Sequence, residues 1–123
     1  MRFDIEGFIT FDTDDASLVN LLTGDYVVLS QNHKILLTEF LNLRGDILLR
    51  NQFIRLFLDK YDVCISNSNL TQYILALRRD LRCLGIKKKT IIAVPNIGYK
   101  ISKDVIINND CEYQPFTAYS GPM

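Results

Sequence analysis

One short stretch, residues 68–82, holds most of the side chains in this 123-residue chain that could recognise another molecule. Gln72 and Thr71 carry hydrogen-bond donors and acceptors, while Arg78, Arg79 and Arg82 carry guanidinium forks that match planar or anionic partners. Placed on a helix at about 100° per residue, Leu70, Ile74, Leu77, Leu81 and Leu84 fall on one narrow stripe. Ser68, Gln72, Leu75, Ala76 and Arg79 fall on the opposite face, flanked by Thr71, Arg78 and Arg82. Such a helix buries its leucines and offers the other side outward. Small residues there allow close approach to base edges, Gln bonds adenine bidentately, and Arg pairs with guanine or clamps a phosphate. Leu75 on this outer face suits a thymine methyl group or a second protomer.

Bond-breaking chemistry finds little support. There is no Gly-rich phosphate loop, no metal-ligand spacing and no recognisable acid pair. His33 is the one histidine, so imidazole acid–base catalysis has few options, and it reads as a surface helix residue. The expectation is a non-enzyme without cofactor or metal. Cys64, Cys83 and Cys111 are far apart and form no C-x-x-C pair; with no secretory leader, they fit reduced thiols. No apolar run approaches the ~20 residues needed to cross a bilayer. The expected location is therefore cytoplasmic.

Fourteen basic and fourteen acidic residues cancel to a net charge of zero, but their distribution is uneven. Residues 1–30 carry Arg2 against Asp4, Glu6, Asp12, Asp14, Asp15 and Asp25. Residues 68–103 carry Arg78, Arg79, Arg82, Lys87, Lys88, Lys89, Lys100 and Lys103 against Asp80. The molecule has an acidic end and a basic end, and the basic end coincides with the candidate recognition helix.

Several elements must hold that helix in place. An apolar fraction of 48%, with seven Phe and six Tyr, is enough for one modest core. Residues 3–29 read as short antiparallel strands, with 8–11 and 17–21 separated by an Asp-rich turn and 26–29 following a Gly turn. Ser30 caps a first helix whose apolar face is Leu36, Leu37, Phe40, Leu41 and Leu43, ended by Gly45-Asp46. An extended Ile47-Leu48-Leu49 leads to a second helix over 51–60, with Phe53, Ile54, Phe57 and Leu58 inward. After a loop over 61–67, Asn67 or Ser68 caps the third helix, which Gly85 stops. A hairpin follows: a strand over 90–94, a Pro95-Asn96 turn and a returning strand over 98–101. Tyr99 reads as a core residue anchoring that hairpin.

The run Asn67-Ser68-Asn69-Leu70-Thr71-Gln72-Tyr73-Ile74-Leu75-Ala76-Leu77-Arg78-Arg79-Asp80-Leu81 resembles the recognition helix of OmpR/PhoB-type winged helix-turn-helix domains. Ile91-Ile92-Ala93-Val94-Pro95-Asn96-Ile97-Gly98-Tyr99-Lys100-Ile101 resembles their wing, and Gly45-Asp46-Ile47-Leu48-Leu49-Arg50 the segment between their first two helices. Pro95 ahead of the wing turn, with no evident receiver domain, points to the ToxR/CadC-like branch of bacterial transcriptional regulators. The departures are His33 where a Glu often closes the first capping box, Leu75 and Ala76 where basic residues are frequent, and Asn96-Ile97 in the wing turn.

The resemblance implies an α+β fold: an N-terminal antiparallel sheet over about 3–29, three helices over about 30–85, and a C-terminal wing over about 90–102. The domain would end at 103, leaving 104–123 as a weakly ordered tail or linker. It implies binding to double-stranded promoter DNA, with Ser68, Asn69, Thr71, Gln72, Tyr73 and Ala76 at bases and Arg50, Arg78, Arg79, Arg82, Lys88 and Lys100 at phosphates. Further implied partners are RNA polymerase, through Tyr61, Asp62, Val63, Cys64, Ile65, Ser66 and Asn67, and a second copy of the chain, as homodimer or tandem protomers. A membrane-anchored parent or membrane-protein partner also fits this branch. The rival expectation is a degenerate winged helix that docks on protein, favoured by the mild net charge, Leu75 and the unarmed wing.

Overall fold

Alternation of apolar and polar residues along the first thirty positions builds a sheet with one dry face. The computed structural model describes residues 1–109. β1 (Arg2–Ile5), β2 (Ile9–Asp12), β3 (Ser17–Asn20) and β4 (Tyr26–Val28) form an antiparallel meander. The registers set Phe3 opposite Phe11, Phe11 opposite Leu18 and Leu18 opposite Val27, so one apolar row crosses four strands. A fifth strand, β8 (Ile107–Asn109), pairs antiparallel with β1 and gives the order β4-β3-β2-β1-β8. The domain boundary expected at residue 103 therefore moves outward. Ile107 completes the dry face beside Ile5, while Glu6 bonds the Ile106 amide through its carboxylate at 2.6 Å. Residues 110–123, the rest of the expected tail, lie outside the described residues.

α1 (Gln31–Asn42) starts on Ser30, whose hydroxyl accepts from the His33 amide. It buries Leu36, Leu37, Phe40 and Leu41; Leu43 is half-buried at the C-cap. α2 (Arg50–Tyr61) follows the two-residue strand β5 (Leu48–Leu49). Phe53 and Phe57 are buried and Ile54 half-buried, but Leu58, expected inward, is 48% exposed. Phe53 meets Phe40 of α1 with ring centroids 4.9 Å apart.

α3 (Asn67–Cys83) begins one residue earlier than expected. Its cap is Ser66, not Asn67 or Ser68: Ser66 Oγ accepts from the Asn69 amide and Asn69 Oδ1 from the Ser66 amide, a reciprocal box. Leu70, Ile74, Leu77, Leu81 and Leu84 are all buried, as their spacing requires. β6 (Ile91–Val94) and β7 (Gly98–Ile101) form the hairpin, and β5 joins β7 to complete a three-stranded sheet. Gly98 is needed there because a Cβ would overlap the Leu48 carbonyl of β5. Among the described residues no helix is long and apolar enough to cross a membrane.

Candidate nucleic-acid interface

Both ends of α3 are tied down by buried or half-buried polar groups. At its C-terminal end, the side-chain amide of Asn20 donates to the Leu84 carbonyl at 2.7 Å. Asn20 Oδ1 accepts from the Leu22 and Thr23 amides, so one buried residue fixes the β3 turn and the helix end together. At the N-terminal end, all three guanidinium nitrogens of Arg50 donate inward. Nε reaches Asn67 Oδ1, Nη2 reaches the Asn67 carbonyl and Thr71 Oγ1, and Nη1 reaches the Tyr99 hydroxyl. Arg50, expected on phosphate, is thus first a buckle joining α2, α3 and β7. Tyr99 is buried and anchors the hairpin, as expected.

With its ends fixed, α3 holds one face in the open. Ser68, Asn69, Thr71, Gln72, Leu75, Arg79 and Arg82 are exposed and Ala76 half-buried. The structure divides the expected base-contact set. Ser68, Gln72 and Ala76 share the outward face. Asn69 lies at the helix start with Oδ1 engaged by the cap. Thr71 turns its hydroxyl toward Arg50 and the Asn67 carbonyl, which places it at the flank. Tyr73 is half-buried against the other helices: its hydroxyl accepts from Asn32 Nδ2 at 3.0 Å and its ring meets His33 and Phe57. That packing directs Tyr73 into the α1–α3 contact rather than outward.

The expected phosphate set divides similarly. Arg79 keeps 71% of its side-chain surface exposed, and its 3.7 Å contact with Asp80 is a long surface pair that restrains it little. Arg82 is exposed and Lys100 half-exposed on β7. Arg78 instead donates Nε to the Ile91 carbonyl, fastening α3 to the hairpin. Lys88 bonds Glu6 at 2.9 Å and the Asp104 carbonyl at 2.9 Å, so it is drawn to the N-terminal sheet. The Ile106 amide and Lys88 together hold the Glu6 carboxyl below its ordinary range.

The loop before α3 is shorter than expected, covering residues 62–66. Tyr61 ends α2 and donates its hydroxyl to the buried Glu39, which Lys60 also reaches. Val63 and Ile65 pack on the core, Ser66 caps α3 and Asn67 bonds Arg50; Asp62 and Cys64 leave their side chains exposed. Asp62 adopts φ 57° and closes the end of α2, where its amide donates to the Leu58 carbonyl.

Asn20, Asn32 and Glu39 were not singled out in the sequence, because a polar residue within an apolar pattern shows no sign of the partner it will meet. His33 was also underread. It is half-buried and lines a shallow groove with Gln72, Tyr73, Leu75, Ala76 and Arg79, where burial lowers its pKa from the ordinary 6.5. Among the described residues no group of three or more His, Cys, Asp or Glu could hold a metal ion.

No protein-family model matches the chain, and no curated protein does. Solved structures match closely in shape. The DNA-binding domain of E. coli CadC superposes at a TM-score of 0.68 and 23% identity, over 85% of this chain and 94% of its own. The fold is a winged helix, the one seen in that CadC domain. Other winged helices with this architecture were solved with nucleic acid. The AdeR DNA-binding domain in complex with an intercistronic region matches at 0.61 and 17% identity, over 77% of this chain and 94% of its own. The Klebsiella pneumoniae RstA DNA-binding domain in complex with the RstA box matches at 0.58 and 23%, over 78% and 92%. In this winged helix, α3 is the third helix of the core and the β6–β7 hairpin is the wing.

Proposed function

We propose that this chain binds double-stranded DNA sequence-specifically and regulates transcription, with α3 in the major groove. One observation carries the reading: Gln72 and Arg79 stand on a helix face that the described residues leave uncovered. A helix about 10–12 Å across fits a groove about 12 Å wide. The AdeR and RstA complexes support the same use of the fold. Ser68, Gln72 and Ala76 are the base-facing group, with Asn69 and Thr71 at the flank; Arg79, Arg82 and Lys100 lie toward phosphates.

RNA polymerase is the proposed partner of the 62–66 loop, through Asp62 and Cys64. Because Leu75 and Ala76 on α3 and Asn96-Ile97 in the wing turn carry no positive charge, occupancy depends on two copies bound together, as a homodimer or in tandem. The domain works on the cytoplasmic side, whether free or joined beyond β8 to a membrane anchor.

The test is unbiased selection of bound fragments from random duplex DNA at moderate salt. An enriched motif is expected, with log affinity falling linearly against log salt. Recovery of no motif, with salt-tolerant protein association damaged most by Leu75→Asp, would replace this reading with a protein-docking module.

A further inference from the structure

The middle of the exposed α3 face is apolar. Leu75 lies one turn from both Gln72 and Arg79, is 55% exposed, and shares its groove with Ala76. Most of the surrounding face is polar or charged, with Ser68, Thr71, Gln72, Arg79 and Arg82 exposed around it. The groove's other wall is His33 set edge-on against Tyr73, with ring centroids 5.1 Å apart. Burial favours the neutral imidazole there, so that wall adds no fixed cation near neutral pH.

From Gln72 to Arg79 is about 10 Å along the helix axis, close to three base-pair steps. Leu75 and Ala76 fall midway, over the base pair or two between the base that Gln72 addresses and the phosphate that Arg79 meets. In the major groove, the one apolar group a base edge presents is the C5-methyl of thymine. We infer that Leu75, seated with Ala76, is a specificity residue that selects thymine between the base met by Gln72 and the phosphate met by Arg79. The inference rests on the DNA-binding reading and names the base class that it leaves open. The patch is continuous with that proposed interface and framed by its cations, which commits it to DNA rather than to another apolar partner.

The experiment uses the full chain and the duplex recovered by selection. Each thymine is replaced singly by deoxyuridine, which removes the methyl and keeps the pairing edge. One or two positions should lose about 3- to 5-fold in affinity, the scale of one buried methyl group. Leu75→Ala, a change that favours an exposed helix position, should weaken binding to the thymine duplex by a similar factor and abolish the uracil effect. A motif without methyl-sensitive positions overturns the inference and leaves the DNA-binding reading standing. So does a methyl effect that persists in Leu75→Ala while binding becomes less cooperative, which would place Leu75 against a second copy. Recovery of no motif overturns both.

Discussion

Arg50 Nη1 lies 2.6 Å from the hydroxyl of Tyr99. This contact joins the first residue of α2 to the returning strand of the wing, while the same guanidinium holds the start of α3. The two residues were expected to do different work, one at a phosphate and one in the core. The fold makes them one joint, so the wing and α3 keep a fixed relation.

Arg50→Ala should therefore act on stability before it acts on binding. Losing the buckle leaves the buried Tyr99 hydroxyl without its partner, at a cost of about 1–3 kcal/mol, while the exposed Asn67 turns to water. Tyr99→Phe, which deletes one hydroxyl, should cost about 0.5–1.5 kcal/mol. Denaturant titration of both variants measures this. The salt slope of DNA binding should stay unchanged in Arg50→Ala; a slope reduced by a full phosphate contact would restore Arg50 to the phosphate set.

Arg79→Ala should weaken binding to all sequences and lower the salt slope by about one unit. Gln72→Ala should instead cost about 1–3 kcal/mol on the preferred site and relax preference at one position. Competition binding at several salt concentrations separates the two. Equal, sequence-independent losses in both variants would contradict the assignment of Gln72 to bases.

Gly98→Ala should destabilise the domain by about 1–3 kcal/mol or more, since the added methyl meets the Leu48 carbonyl and backbone rather than a side chain that can turn aside. Thermal unfolding reads the effect. A neutral outcome would mean that β5 and β7 separate easily, and the wing would then be loosely held.

Two groups give stability opposite reasons to fall in acid. The Glu6 carboxyl is held below its ordinary 4.5 by the Ile106 amide and Lys88. Its contribution is present above that value and is lost as pH falls through the lower folded value. The His33 imidazole is lowered from 6.5 by burial, with Asp80 opposing and Arg79 reinforcing the shift. Between its folded value and 6.5 the unfolded chain binds more protons, so stability also declines as pH drops from 6.5. Glu6→Gln should flatten the lower limb of the stability–pH curve and His33→Gln the upper one. Unfolding midpoints across this range check both, and an unchanged upper limb in His33→Gln would place the imidazole in solvent.

The residue string by itself determined the order of elements as far as the wing, the leucine stripe of α3 and its outward Gln72–Arg79 face, because periodic burial and turn chemistry are local properties of sequence. The Gly98-Tyr99 pair and the acidic-to-basic gradient along the chain were legible in the same way. Tertiary structure alone decided which polar residues stay free. Arg50, Tyr73, Arg78 and Lys88 were indistinguishable in sequence from Gln72 and Arg79, yet each meets a partner on another element, as much as 82 positions away for Lys88 and Glu6. It also brought residues 107–109 back to β1, a pairing no local pattern announces. A hydrogen bond between distant segments depends on where the chain returns, and that is set by packing of the whole core.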